Sequence, residues 1–179
     1  TTGLWYHRLC RALADTTVVV RDGTTNQGFL LDLLARPEVS AGEYDTTWLD
    51  RRQAEGDFLP TTDADVALIG AAINLAQATD EVERRRFYGW ARRGRPRLEV
   101  ALGSAIELRH AGHPYRACTW RLGPTRWRVE LDGTRVELDL EPLGRYEHLL
   151  QIGDRRYRLV TTDQGGDLLV TVDGVTHRF

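Results

Sequence analysis

The spacing of apolar residues changes along the chain, from a helical period in the first half to an alternating one in the second. From Leu98 onward the period is two, which is the spacing of a strand with one buried face. The clearest runs place apolar residues at Leu98, Val100 and Leu102, at Trp127, Val129 and Leu131, and at Val136, Leu138 and Leu140. Turn signals such as Asp132-Gly133 and Asp173-Gly174 separate the runs. The pattern predicts about eight short antiparallel strands in a barrel or strongly curled sheet.

A long apolar helix is predicted immediately before these strands. Thr61-Thr62-Asp63 is a helix-start signal, and an alanine-rich stretch runs from there to about Arg86. Val66, Ile69 and Ile73 follow helical spacing, and alanines on several sides broaden the apolar face. We expect the strands to surround this helix, while its charged end from residue 80 to 86 leaves the core.

The first 60 residues have the pattern of a small α/β lead-in. Arg8 to Asp15 is typical of a helix, and the β-branched run 16–20 favours a strand. A second helix is expected to begin at Thr25 or Asn26 and to end before Pro37, with extended chain beyond it. We therefore divide the chain into a lead-in, residues 1–60, and a helix-plus-barrel domain, residues 61–179. The predicted class is α+β, with a long central helix wrapped by an antiparallel β-barrel of about eight strands.

The composition excludes several kinds of chemistry. The chain has 179 residues, with 24 basic and 26 acidic side chains, and every basic one is an arginine. A Schiff base, a phosphate-binding loop of the Walker type and kinase-type phosphoryl transfer each need a lysine, so this chain alone performs none of them. Methionine is also absent, and we therefore expect a piece of a larger protein.

The remaining global features point to the cytoplasm. No apolar run approaches the roughly 20 residues of a membrane span, and no signal peptide opens the chain. The two cysteines, Cys10 and Cys118, lie far apart in sequence and suit reduced thiols. The net charge of -2 gives no overall attraction to nucleic acid or to a membrane surface.

The sharpest charge feature is the segment 84–97, which holds seven arginines, no acid and three aromatic residues. Such a segment can bind nucleotide phosphates or single-stranded nucleic acid, which is our alternative function for a stand-alone β-barrel module. We favour a helix C-terminus or a protein contact, because arginine complements the helix dipole and the whole chain is slightly acidic. The candidate interaction surface comprises Arg84, Arg85, Arg86, Tyr88, Trp90, Arg92, Arg93 and His113.

Histidine and cysteine positions raise a third possibility, a small metal-dependent enzyme that works through His110, His113 and Cys118. His110 and His113 flank a Gly-Pro turn and no second Cys or His pair follows, so a solvated hairpin tip is the preferred interpretation. His7 and Cys10 can share a helix face, yet no third partner accompanies them. We assign no catalytic, cofactor-binding or metal-binding residue.

One stretch resembles a known family. Residues 23–39, followed by Ala41-Gly42 and by residues 45–51, resemble the C-terminal end of the biotin carboxylase component of biotin-dependent carboxylases. The shared elements are a Thr-Asn pair that caps a leucine-rich helix, a proline that ends it, and a glycine and an Asp-Thr pair that lead the chain out. The resemblance covers about residues 8 to 52, and residues 1–7 are left unassigned.

The resemblance implies a fold and a function for the rest of the chain. In acyl-CoA carboxylase α chains of the propionyl-CoA and methylcrotonyl-CoA type, biotin carboxylase is followed by the BT domain, a long helix surrounded by an antiparallel β-barrel. Residues 61–179 are similar to that architecture in order and pattern. The implied function is a non-catalytic one, contact between biotin carboxylase and carboxyltransferase. The implied parent enzyme carboxylates biotin with ATP and transfers the carboxyl group to an acyl-CoA.

The same resemblance implies cofactors and partners. The parent would use biotin, ATP and Mg or Mn, with the ATP-grasp module upstream and the biotin-carrying lysine downstream of Phe179, and this fragment would bind no cofactor. The expected partners are the carboxyltransferase domain or subunit, the biotin carboxylase core and the biotin carboxyl carrier domain, within an oligomer. We expect neither membrane nor nucleic-acid binding. No catalytic residue of the family maps onto this sequence.

Overall fold

The computed structural model describes residues 2–20, 23–55, 63–90 and 103–179, with side chains omitted at 2–3, 83–84 and 86–90. Within these ranges the helices are α1 (Thr2–Asp15), α2 (Gln27–Ala35), α3 (Pro37–Ala41), α4 (Trp48–Ala54) and α5 (Ala64–Trp90). The strands are β1 (Ser104–His110), β2 (His113–Arg121), β3 (Arg126–Leu131), β4 (Thr134–Pro142), β5 (Glu147–Ile152), β6 (Arg155–Gln164), β7 (Asp167–Val172) and β8 (Val175–Arg178). The predicted α+β class is confirmed. Among the helices described, none combines the length and apolar character needed to cross a membrane.

The eight strands form one antiparallel sheet in which each strand pairs with the next one in sequence. The predicted apolar runs meet across the β3–β4 ladder, where Trp127 faces Leu138 and Val129 faces Val136. The β3–β4 turn is made by Asp132 and Gly133, both with positive φ, as in the tight hairpin turns that match strand twist. The sheet curls into a nearly closed barrel, as the alternation predicted. The expected strand at residues 98–102 lies outside the described residues.

Side chains bring the first and last strands together. The Nε2 atom of His110, at the end of β1, lies 3.4 Å from Nδ1 of His177 in β8. The His110 ring also stacks on Phe179, with ring centroids 5.1 Å apart. Phe179 in turn exchanges two backbone hydrogen bonds with Leu168, which extends the β7–β8 pairing by one residue. Imidazole and aromatic contacts thus bridge the seam between β1 and β8.

The core lies between α5 and the inner face of the sheet. Ala67, Ala71, Ala72 and Ile73 have no accessible surface, and the helix contacts β1, β2, β3, β6 and β7. Small side chains allow this close approach, since a Cβ added at Gly70 would lie only 3.2 Å from a methyl group of Leu159. That all eight strands enclose the helix remains a prediction.

The C-terminal part of α5 leaves the core. Ala76 is the last buried residue on the described part of the helix, whereas Val82 and Arg85 are exposed. This confirms the expectation that the charged end of the helix projects from the core. The structure extends the helix to Trp90, four residues beyond the predicted end.

The lead-in differs from the prediction in two places. The run 16–20 joins no strand of the sheet within the described chain, so the predicted strand is wrong. Between Pro37 and Glu55 the chain forms α3 and α4 where extended chain was predicted, and the rest of that predicted tail lies outside the described residues. Pro37 ends α2 as expected but also occupies the first turn of α3, where its fixed φ and missing N–H cost nothing.

Candidate functional site

The predicted interaction surface falls mainly on the projecting end of α5. Its helical members are Arg84, Arg85, Arg86, Tyr88 and Trp90, of which Arg85 alone has a described side chain. Arg85 is 79% exposed and pairs with Glu81 one turn earlier, Nε to Oε1, at 2.9 Å. An exposed pair of this kind contributes about 0.3–0.5 kcal/mol, so the guanidinium stays accessible to a partner. Arg92 and Arg93 lie outside the described residues.

His113, the last member of that predicted surface, lies not on α5 but on the β1–β2 hairpin. It is exposed and stands opposite His110 in the β1–β2 register. A groove of about 580 Å³ opens beside this hairpin, lined by Glu107, Leu108, Arg109, Pro114, Tyr115, Arg116 and Asp132. Its lining combines apolar surface with charges of both signs, a composition suited to a protein side chain.

The structure does not bring His110, His113 and Cys118 together. Cys118 stands opposite Ala105, which lies five residues before His110 in β1, or about 17 Å along the strand. Nowhere in the described ranges do three or more histidine, cysteine or acidic side chains group so as to hold a metal ion. His110 instead contacts His177 at the barrel seam.

His148, His7 and Cys10 occupy ordinary structural positions. His148 is half-buried in β5, and burial lowers its pKa below the usual 6.5. His7 is exposed on α1 and meets the edge of Tyr6, while Cys10 is half-buried one turn later. The Tyr6 hydroxyl donates to the carbonyl of Leu34, which joins α1 to α2.

An interface that sequence reasoning missed lies between the lead-in and the outer face of the barrel. Val160 in β6 and Leu169 in β7 are buried, yet neither belongs to the apolar cluster around α5. Both line a narrow cleft together with the lead-in residues 18–20 and 23–25. The strands β6 and β7 are therefore buried on both faces at this point.

A polar cluster, formed by Thr17, Glu147 and Arg158, connects the two parts. The Nη1 atom of Arg158 donates to the carbonyl oxygen of Asp15 at 2.8 Å, and its Nε pairs with Glu147 Oε1 at 2.8 Å. The Thr17 hydroxyl donates to the same Glu147 oxygen at 2.9 Å. We call these three residues the Arg158 cluster. Two of its members belong to the barrel and one to the lead-in.

Backbone contact fixes the same interface at the start of α2. The N–H of Gly28 donates to the carbonyl of Gly174 at 2.9 Å. A Cβ added at Gly28 would lie 2.5 Å from that carbonyl oxygen, so only glycine fits. The β7–β8 turn therefore lies directly against the helix. Beside it, Asp173 accepts the backbone N–H of Arg158 at 2.8 Å, and burial raises the pKa of this carboxyl group.

Comparison with known proteins finds one distant relative, and no family model matches the chain. The chain is similar to part of a carboxylase. An acetyl-CoA carboxylase of Schizosaccharomyces pombe (strain 972) is 25% identical to it over 157 residues. The match covers 87% of this chain, and the chain spans about 7% of the length of that relative. Because 157 residues exceed the length of either the lead-in or the barrel domain, the similarity runs through both.

One signal in the sequence marks the missed interface. The runs Leu159-Val160 and Leu168-Leu169-Val170 break the alternation of apolar and polar residues. Such a break indicates a strand buried on both faces. The residues that cover the outer face, however, are more than 100 positions away in sequence, so the pattern locates one side of the interface and not its partner.

Proposed function

We propose that this chain is a non-catalytic fragment of a biotin-dependent acyl-CoA carboxylase and joins the biotin carboxylase and carboxyltransferase parts of that enzyme. The observation that carries the proposal is the single alignment to an acetyl-CoA carboxylase that runs through lead-in and barrel alike. The order of elements supports it, since a helix-rich lead-in is followed by a long apolar helix and an eight-stranded meander. That order agrees with the resemblance noted in residues 23–51.

In the proposed parent, the chain keeps two active sites in one assembly so that the carrier domain can move carboxybiotin between them. Biotin, ATP and Mg or Mn would act in the neighbouring modules, and the residues of this chain are assigned contacts with protein only. The parent is proposed to be a cytoplasmic oligomer. Within the chain, the barrel is proposed to wrap around α5, whose alanines permit close packing on several sides.

Two regions are proposed to contact the carboxyltransferase. One is the groove beside the β1–β2 hairpin, where Arg109 and Arg116 are exposed and Tyr115 is half-buried. The other is the projecting end of α5, which carries Tyr88 and Trp90 among arginines. Arginine and large aromatic residues dominate the binding energy of many protein interfaces.

The first test measures binding of the 179-residue chain to a purified acyl-CoA carboxyltransferase by biolayer interferometry. We expect saturable binding, with a Kd in the micromolar range or tighter. Arg109→Glu reverses a charge in the hairpin groove and is expected to weaken binding about tenfold, or about 1.4 kcal/mol. Arg145→Glu is the matched control, because Arg145 is exposed on the β4–β5 turn at the other end of the barrel.

The same experiment separates the two functions. Absence of binding at about 100 μM carboxyltransferase, a concentration at which even weak specific complexes are populated, contradicts the proposal. Salt-sensitive binding of a single-stranded oligonucleotide without carboxyltransferase binding would favour the alternative, a nucleic-acid module that uses the arginine segment. An equal loss of carboxyltransferase affinity in both charge-reversal variants would contradict the placement of the contact at the hairpin groove.

A further inference from the structure

We propose that the outer face of β5–β8 is a docking surface that holds the lead-in in one orientation, with Arg158 as the positioning residue. The lead-in and the barrel then form one rigid unit. The proposal deepens the proposed function, and its consequence for a carboxylase assembly rests on that function. The structural claim itself concerns this chain alone.

The C-terminal end of α1 accepts hydrogen bonds from the barrel. A helix leaves its last four carbonyl groups without partners inside the helix. Here Arg158 of the barrel donates to the carbonyls of Ala14 and Asp15, at 3.4 and 2.8 Å. Gln27 of α2 donates to those of Leu13 and Thr16, both at 2.6 Å. The barrel thus provides part of the hydrogen bonding that α1 needs in order to end.

The positive charge of Arg158 also favours its position beside the end of α1. A cation near a helix C-terminus is favoured by the helix dipole, and Arg158 supplies that cation from another part of the fold. Its Nε is held by Glu147, and Thr17 returns a hydrogen bond from the lead-in to the same carboxylate. The side chains of Arg158 and Glu147 are only 34% and 21% exposed, so either one left alone would be an incompletely solvated charge.

A backbone contact that is independent of charge also holds the lead-in against the barrel. Gly28 and Gly174 touch through their backbones, and the Gly28 N–H is bonded to the Gly174 carbonyl. About the Arg158 cluster alone the lead-in could pivot, but a second fixed point on the same face removes that freedom. Val160 and Leu169 fill the space beneath residues 18–20. Three kinds of contact on one face therefore define a single orientation.

In the proposed carboxylase, this arrangement fixes the orientation of the module at the barrel relative to the module at the lead-in. A partner bound at the barrel would stand at a fixed angle to whatever adjoins the lead-in, because the contacts on this face hold the two parts together. The connection between the active sites would then be stiff at this point. Mobility needed for the carrier domain would have to come from another segment.

The chain carries its own pair of probe sites for a test. Cys10 lies on α1 and Cys118 on β2, both are free, and they are the only cysteines in the sequence. Spin labels at these two positions report the lead-in-to-barrel distance in the full chain by double electron–electron resonance. We expect one narrow distance distribution for the unaltered chain. Arg158→Ala is expected to broaden it at least twofold.

Arg156→Ala is the matched control. Arg156 lies two residues earlier on the same strand, is exposed, and bonds only to Gln151 within the barrel among the contacts described. It should leave the distribution unchanged. Thr17→Val removes one hydrogen bond and no charge, so it should broaden the distribution less than Arg158→Ala and serves if Arg158→Ala fails to fold. Hydrogen exchange of β2–β4 monitors the barrel, whose protection should not change.

A broad distribution in the unaltered chain would overturn the proposal. So would an Arg158→Ala distribution, or a Thr17→Val distribution in its place, that equals the control with the barrel intact. No carboxyltransferase is present in this experiment, so its failure leaves the binding proposal standing. Conversely, absence of carboxyltransferase binding in the first test leaves the distance result unaffected.

Discussion

At the scale of single residues, Asp173 shows how the surroundings of the β7–β8 turn alter the chemistry of one side chain. It adopts positive φ in the β7–β8 turn and accepts the backbone N–H of Arg158. Burial raises its pKa above the usual 3.8, and the nearby Asp63 carboxylate adds to the shift. Because the pKa of this carboxyl group is higher in the folded than in the unfolded state, its ionisation lowers the free energy of unfolding at neutral pH. This loss of stability disappears as the pH falls through the folded-state pKa to the unfolded-state pKa.

Asp173→Asn is therefore expected to raise the free energy of unfolding at pH 7, by about 0.5 kcal/mol. Asparagine keeps the shape, tolerates positive φ and can still accept the Arg158 N–H through Oδ1. The gain should shrink as the pH falls toward 3.8 and below, because Asp173 becomes protonated first in the folded and then in the unfolded state. Urea unfolding at pH 7 and pH 3.5 measures both values. A gain of equal size at the two pH values would show that the carboxylate charge is not its cause.

At the scale of elements, α5 anchors the barrel through side chains with almost no accessible surface. Ile73 is the largest of these on the helix, and its removal leaves a cavity between helix and sheet. Ile73→Ala is expected to lower the free energy of unfolding by about 2–5 kcal/mol. Val82→Ala, on the projecting part where the side chain is 49% exposed, should change it by about 0.5 kcal/mol or less. Chemical denaturation of the two variants provides the comparison, and similar losses would contradict a core that ends near Ala76.

The elements also show what local pattern can and cannot predict. Hydrophobic alternation is enough to predict β3 and β4 and their turn, because one buried face and two positive-φ turn residues are local requirements. Residues 16–20 are all β-branched, but a strand needs the edge of another strand to pair with, and these residues lie against the face of β6 and β7. The sequence predicts the candidate interaction surface only as an arginine-rich segment. It does not predict the Arg158 cluster, because that cluster depends on contacts between positions 130 or more residues apart.

At the scale of the whole molecule, the lead-in and the barrel meet through backbone as well as side chains. Gly28→Ala tests the backbone contact. Alanine gains up to about 1 kcal/mol of helix propensity over glycine. We expect a net loss of about 1–3 kcal/mol nonetheless, because the new Cβ would stand 2.5 Å from a carbonyl oxygen that cannot rotate away. Gly123→Ala, whose Cβ would have 3.6 Å of clearance, is the control.

Hydrogen exchange of the Gly28 amide is the direct measurement, since this N–H is bonded to Gly174. Gly123→Ala should leave its protection unchanged. The amide at position 28 should exchange faster in Gly28→Ala, together with residues 16–20. Undiminished protection there would mean that the lead-in accommodates the methyl group without leaving the barrel.

The meander of nearest-neighbour strands has a consequence for synthesis. Each ladder joins segments that are adjacent in sequence, so hairpins can close one after another as the chain emerges, with little loop entropy to overcome. The contacts of the lead-in are different, because they must wait for β6 and β7, and those of α5 are completed only when the same two strands are made. An alanine-rich apolar helix is therefore made first and fully covered last. During that interval the nascent chain exposes the surfaces that most favour aggregation and recruitment of chaperones.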